Sequence, residues 1–174
     1  MVRCRIPILV VVAWLLTACA PTFNWRTQAI GATGLNAMFP CKPETITRTV
    51  PMAGSNRQVA MRSCLAAGVT FAVAHAALDD PAQVPAVLSA WRASALAGLH
   101  ADPASAASHE APAGVPALPQ LLVLHATGAM PGQKSNTLVG VWFGQGADAF
   151  AAFVMAPAVP PEVVEPFFAG LRLR

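Results

Sequence analysis

Hydrophobic residues form one unbroken run near the N-terminus and change to periodic patterns along the rest of the chain. The run covers residues 6–16 and follows two arginines, Arg3 and Arg5. As a helix, these residues span about 16 Å, whereas the apolar core of a bilayer is about 30 Å thick. The run is therefore too short for a permanent transmembrane helix, and its length and basic flank are typical of a secretory signal peptide.

The first half of the remaining chain carries strand patterns followed by a helix pattern. Three segments are rich in β-branched residues or alternate in polarity, and glycine-containing turns separate them, which predicts a meander of antiparallel hairpins. These segments are residues 44–52, 57–65 and 69–77. Asp80 and Pro81 are a capping residue and a first-turn proline, and apolar residues then recur at helical spacing, so a helix is predicted over 82–99.

The second half begins with an alanine-, proline- and serine-rich loop over residues 101–119. Three further strands and a closing helix that begins at residues 160–162 are predicted after it. The strands cover residues 120–127, 137–143 and 149–155. The order β-β-β-α-β-β-β-α predicts an α+β fold, an antiparallel sheet of about six strands covered by two helices. We expect residues 36–174 to form this single domain.

Composition and charge exclude some classes of function. Hydrophobic residues make up 55% of the chain and charged residues 11%, so a folded core is expected rather than disorder. The formal charge of +3 includes Arg3 and Arg5 of the leader, and 11 − 2 leaves 9 basic against 8 acidic residues, a charge of +1. Because no block of lysine or arginine remains, nucleic-acid binding through a basic patch is not expected.

The leader ends in Leu16-Thr17-Ala18-Cys19, which resembles the lipobox of bacterial lipoproteins. The resemblance implies that residues 1–18 are a signal peptide cleaved before Cys19, and that Cys19 carries diacylglyceryl on its thiol and a fatty acid such as palmitate on its amino group. Several acyl chains give a stable membrane anchor. Residues 19–35 would then be a lipidated N-terminus and tether. The alternative is an ordinary secretory signal with a chance cysteine.

The residue after the lipobox cysteine bears on the membrane address. Ala20 stands where the inner-membrane retention signal of enteric bacteria has aspartate. The lipoprotein resemblance therefore implies the periplasmic face of the outer membrane. No cofactor is expected, and the membrane, reached through the lipid on Cys19, is the expected partner together with an envelope protein.

Cys41 and Cys64 remain once Cys4 is removed with the leader and Cys19 is lipidated. In the oxidising periplasm such a pair favours a structural disulfide bond. A metal site is the weaker alternative, because no nearby histidine or cysteine completes a tetrahedral set. A redox pair would more often show Cys-x-x-Cys spacing, which is absent.

The domain resembles the PsbP-like sandwich domains found in bacterial lipoproteins. The resemblance covers roughly residues 36–173 and rests on four short features: Phe39-Pro40-Cys41-Lys42-Pro43, where that family often has Phe-Pro-Gly-x-Pro; the long helix opened by Asp-Pro; the Gly128…Pro131-Gly132 turn; and the phenylalanine-rich final helix. Cys41 replaces the usual glycine. The resemblance implies protein binding or assistance and no catalytic residues, and a fold alone does not give a function.

Candidate chemistry is sparse. His75 and His125 lie in predicted strands that could be neighbours, and a metal site there would need a third ligand such as Asp79 or Asp80. His109 and Glu110 lie in the loop, where only weak adventitious metal binding is expected. No Gly-x-Ser-x-Gly nucleophile elbow is present. Trp91 and Trp142 are interpreted as core residues.

Three classes of function follow from these observations. A noncatalytic envelope lipoprotein that binds or assists a protein partner is the leading hypothesis. A small-ligand binding module is the alternative, and it would need an apolar pocket between helix 82–99 and the sheet, with polar groups such as His75 or His125 converging on it. An enzyme would need His75, His125 and an acid within hydrogen-bond reach in a cleft, and we do not expect one.

Overall fold

A computed structural model describes residues 22–102, 110–129, 132 and 134–174. In chain order, the strands and helices are β1 (Arg26–Ala29), β2 (Leu35–Phe39), β3 (Glu44–Met52), β4 (Ser55–Ala66), β5 (Val69–Ala77), a short 3-10 helix (Pro81–Gln83), α1 (Val84–Gly98), β6 (Leu122–Gly128), β7 (Asn136–Gln145), β8 (Asp148–Ala156), α2 (Pro161–Ala169) and β9 (Arg172–Leu173). None of the helices within these ranges is long and apolar enough to cross a bilayer.

The main sheet has six strands in the order β3-β4-β5-β8-β7-β6, and every neighbouring pair is antiparallel. The predicted α+β class, with an antiparallel sheet and two helices, is confirmed. The strand order could not be read from the sequence, because β8 lies between β5 and β7. Two local meanders, β3-β4-β5 and β6-β7-β8, are thus joined through the central β5-β8 pair.

A second, three-stranded sheet in the order β1-β2-β9 was not predicted. Its strands have four, five and two residues, so they are too short to show a clear period. Residues 26–29, within the predicted tether, form β1, and they pair with β2 from Arg26↔Phe39 to Ala29↔Asn36. The N-terminal segment is further held by Trp25, whose ring lies edge-on to Phe71 of β5 with centroids 5.8 Å apart.

The central strands of the main sheet are covered on both faces. On one face, large side chains of β5, β7 and β8 pack against α2 and the three-stranded sheet. The largest of these buried residues are Phe71, Phe143 and Phe150 from the sheet and Phe167 and Phe168 from α2. On the other face, Trp142 and a set of aliphatic residues pack against α1. This alternation of side chains between two buried faces is the period-2 pattern of a central strand.

Two tight turns and one disulfide bond fix the β3-β4-β5 meander. Ala53 and Gly54 have φ of 49° and 78°, and Ala67 and Gly68 have φ of 49° and 76°, which are the left-handed values of a two-residue type I′ hairpin loop. Cys41 and Cys64 form the predicted disulfide bond, with their Cα atoms 6.0 Å apart. The bond links the segment before β3 to the end of β4.

Candidate functional site

Helix α1 is the element that forms one side of the candidate site. The 3-10 helix that leads into α1 is capped by Asp80, whose carboxylate accepts a hydrogen bond from the Ala82 backbone amide at 2.9 Å. Pro81 occupies the first position of the 3-10 helix, and Pro85 lies in the first turn of α1, where no backbone donor is required. Both prolines are therefore accommodated in the helical segment.

The two halves of α1 differ in the size of the residues that face the sheet. The N-terminal half places Val84, Val87 and Leu88 in the core, each at most 1% exposed. Further along the helix, Trp91 and Ala95 are half-buried against the sheet-side core, and the small residues Ser94 and Gly98 beside them are exposed and border a space between helix and sheet. Because small side chains cannot fill the layer between a helix and a sheet, the packing is complete at one end of α1 and open at the other.

Side-chain hydrogen bonds from Arg92 and Arg57 help to hold α1 and the 3-10 helix over the sheet. The Arg92 Nε–H group donates to the Val123 carbonyl oxygen at 2.6 Å, which ties α1 to β6. An Arg57 Nη–H group donates to Gln83 Oε1 at 2.6 Å, which ties β4 to the start of the helical segment. The helix lies mainly over β6, β7 and β8 and reaches β3. These two bonds fix the position of α1 above the space under its small residues.

This space is an apolar cavity of about 400 Å³. Its walls come from α1 and from five strands of the main sheet. The lining residues are Ile46, Arg48 and Val50 of β3, Val59 and Met61 of β4, Ala74 of β5, Leu138 and Trp142 of β7, Phe153 and Met155 of β8, and Trp91, Ser94, Ala95, Gly98 and Leu99 of the helical side. The lining strands occupy adjacent places from β3 to β7, so the cavity runs across the sheet.

Polar groups are few in these walls. Among the residues that the structure describes, Arg48 is the one charged residue that lines the cavity, and Ser94 adds one hydroxyl group. Trp142 is 1% exposed, and its indole N–H has no hydrogen-bond acceptor among the residues that the structure describes. An unpaired buried donor costs about 1–3 kcal/mol, so this wall is not optimised for stability alone.

Both tryptophans that the sequence placed in the core contribute to the cavity. Trp142 is buried as expected, whereas Trp91 is half-buried and lines the wall beside Ser94 and Ala95. Sequence reasoning missed Arg48 and the small residues of α1. The signal was present as the change from valine and leucine to serine, alanine and glycine along one helical face.

His75 meets a carboxylate at the opposite face of the sheet. Its Nε2 lies 2.6 Å from Asp148 Oδ1, so the carboxylate accepts a hydrogen bond from the imidazole, and its ring lies against Phe150 with centroids 5.2 Å apart. The side chains are 17% and 33% exposed. An oriented imidazole can serve as a general base, but catalysis of that kind also needs a nucleophile. Within the described ranges, His75 makes no hydrogen bond to a hydroxyl or a thiol.

His125 lies far from this pair. It is exposed on β6 and lines a separate cavity of about 300 Å³ together with Glu110, Thr137 and Val164. Strands β8 and β7 separate β5 from β6, so His75 and His125 are about 14 Å apart or more, at about 4.8 Å per strand. The suggestion that they lie on neighbouring strands was therefore wrong, and neither histidine lines the cavity beside α1.

The metal hypothesis gains no geometric support. No group of three histidine, cysteine, aspartate or glutamate residues comes together in the part of the chain that the structure covers. Asp80 caps the helical segment instead. Cys19 and His109 lie outside the described residues. The chain matches no protein-family model, and no curated protein and no solved structure is significantly similar to it.

Proposed function

We propose that the protein is a noncatalytic lipoprotein, anchored by lipid on Cys19 to the periplasmic face of the outer membrane, whose domain binds an apolar molecule beside α1. The lipobox sequence and the short apolar leader support the anchor and the compartment. The disulfide bond fits an oxidising compartment. The cavity beside α1 supports ligand binding.

The cavity is the observation that carries this proposal. Its volume of about 400 Å³ falls in the range of about 300–1,000 Å³ that is typical of small-molecule sites. Such sites are mostly apolar with a small number of polar groups, as this one is. Ligand binding would also supply dispersion contacts that the small residues of α1 do not make, because carbon atoms that line an unfilled space lack contact partners.

A photo-crosslinking experiment tests ligand binding on the full, lipidated chain in membrane vesicles. The probe is the methyl ester of a long-chain fatty acid with a diazirine in its chain and a terminal alkyne. We expect labelling of peptides that contain Trp91 or Met61, both in the cavity wall. Labelling confined to other peptides, or equal to that of an unrelated lipoprotein, would remove the proposal.

A matched pair of variants makes this test specific to the cavity. Ala95→Leu places a larger side chain in the cavity, whereas Ala93→Leu makes the same change on the exposed face of α1. A ligand that has to share the cavity with extra methyl groups is overpacked, and we expect Ala95→Leu to lower labelling about tenfold. Ala93→Leu should leave it unchanged.

Binding of an envelope protein is the second candidate function, and the outer edge of β3 favours it. β3 has nine residues, and within the described ranges only β4 pairs with it. The two-residue loop closes on the hydrogen-bonded pair Met52↔Ser55, so the backbone groups of Thr45, Thr47 and Thr49 point away from β4. Such an edge can accept an added strand from a partner.

Proline substitution tests strand addition at this edge. Thr47→Pro removes a backbone N–H that points away from β4, whereas Thr47→Val keeps it and removes only the hydroxyl. We expect Thr47→Pro, and not Thr47→Val, to abolish mass-spectrometrically identified crosslinks between β3 and a partner peptide in intact cells. Crosslinks that survive Thr47→Pro would place the partner elsewhere on the protein.

The lipid anchor has its own test. Cys19→Ser removes the thiol that would accept the diacylglyceryl group. We expect the variant to lose metabolic labelling with a palmitate analogue and to leave the detergent phase on partitioning. A Cys19→Ser protein that still incorporates the fatty acid would show that the anchor is attached at another residue.

A further inference from the structure

We infer that the cavity beside α1 takes a single-chain fatty acid, with its hydrocarbon chain under the helix and its carboxylate at Arg48. This inference rests on the proposed ligand-binding function and specifies the ligand's charge and chain number. Three properties of the cavity carry it: the position of Arg48, the extent of the cavity across the sheet and its volume.

The charge of the cavity is set by Arg48. The residue lies on the edge strand β3 and is exposed, so its guanidinium group marks the solvent end of the cavity. It forms no ion pair with any residue in the described part of the chain. Its strand neighbours on the same face, Ile46 and Val50, are apolar. A carboxylate at this end would meet a planar cation that can bind both of its oxygens.

The opposite end of the cavity is lined by buried apolar residues. Trp142 and Leu138 of β7 are 1% and 6% exposed. From β3 to β7 the lining strands span four intervals, or about 19 Å at about 4.8 Å each. The cavity therefore has a charged, solvated end and a deep, apolar end, which is the polarity of an amphiphile with one ionised head group.

The volume agrees with one acyl chain. An apolar cavity of about 150 Å³ holds the six carbon atoms of benzene, so about 400 Å³ holds about sixteen carbon atoms. Two such chains would need about 800 Å³ on the same scale, which excludes a diacyl lipid fully inserted in this cavity. The extent of about 19 Å for this volume also makes the cavity narrow, which favours an extended chain over a compact ring system.

The experiment compares three probes on the full lipidated chain in membrane vesicles at pH 8 and low ionic strength. The probes share the same diazirine- and alkyne-bearing chain and are the free fatty acid, its methyl ester and a diacyl phosphatidylglycerol. We expect the acid to label the Trp91 and Met61 peptides about threefold more than the ester, the preference that one exposed ion pair gives. The preference should disappear in high salt.

Variants of two arginines locate the head group. Arg48→Gln should bring the acid-to-ester labelling ratio to one, and Arg48→Lys should retain most of the preference. Arg62→Gln is the matched control, because Arg62 lies on β4 with Ala60 and His75 on the opposite face of the sheet. The ester should label Arg62→Gln as strongly as the wild type, and circular dichroism spectra that match the wild type show that all of these variants are folded.

Each result has a distinct meaning. An acid preference that survives Arg48→Gln would overturn the head-group assignment while the ester labelling still supported the cavity. Stronger labelling by the diacyl lipid than by the acid would overturn the single-chain assignment. Absence of cavity labelling by every probe would overturn the proposed ligand binding and this inference together.

Discussion

Replacement of both cysteines of the disulfide bond tests the largest single contribution to stability that can be calculated for this fold. The Cys41→Ser/Cys64→Ser variant removes a crosslink with a sequence separation of 23 residues. Such a loop lowers the entropy of the unfolded chain by about 11 cal/mol/K, which is about 3 kcal/mol at 25 °C. For a domain of about 150 residues this loss corresponds to a fall in Tm of about 10 °C.

The assay is urea denaturation of the full chain followed by circular dichroism. The oxidised wild type, the wild type with a reducing agent and the double variant are compared. We expect the reduced wild type and the double variant to coincide, and reduction to leave the variant unchanged. The dependence of the unfolding free energy on urea should rise in the variant, because its unfolded chain is less compact and exposes more surface. A loss below about 1 kcal/mol would refute the entropic argument.

Two backbone predictions follow from glycine and alanine positions. Gly170→Ala should lower the unfolding free energy by about 2 kcal/mol, because the new Cβ would lie 2.3 Å from Met38 Cβ. Gly98→Ala should raise the unfolding free energy by about 0.5 kcal/mol, because its new Cβ would meet no atom within 4 Å and alanine favours the helix over glycine. Urea titration distinguishes the opposite signs. Ala53→Asn should raise the unfolding free energy by about 0.5–1 kcal/mol, because Ala53 has φ of 49° in a turn that favours asparagine. Ala158→Asn, at an exposed position without a positive φ, should leave it unchanged. Equal shifts of Tm for the two variants in a thermal scan would contradict this explanation.

The parts of the fold that were predictable from the sequence are those set by local patterns. The hairpins β3-β4-β5 and β7-β8 have turns next to their strands, so alternation and glycine positions indicated them. The pairing of β2 with β9 joins Asn36 to Arg172 across almost the whole described chain. No local pattern encodes such a pair, and a two-residue strand has no period to detect.

The candidate site was less predictable because it is a space that the side chains between α1 and the sheet do not fill. The cavity requires small residues on α1 to face β3 and β4, and their relative placement depends on the strand order. The His75–Asp148 pair has the same origin. The two residues are 73 positions apart and meet because β8 pairs with β5, with Ala77 opposite Asp148. The sequence showed both residues but not their contact.

The disulfide bond and the cavity are connected through β3. This connection makes it possible to distinguish local opening of the cavity wall from global unfolding of the domain. β3 supplies Arg48 to the cavity wall, yet only Met52 of its nine residues is buried, and within the described ranges β4 alone pairs with it. The bond fastens the chain just before β3 to the end of β4, so its loss should let this wall open locally at a cost below that of global unfolding. The double cysteine variant should therefore lose cavity labelling by the ester probe under conditions in which it remains folded. Gly170→Ala, which weakens the opposite face by a similar amount, should keep it. Equal losses in the two variants would show that labelling follows overall stability and that β3 is not held by the bond.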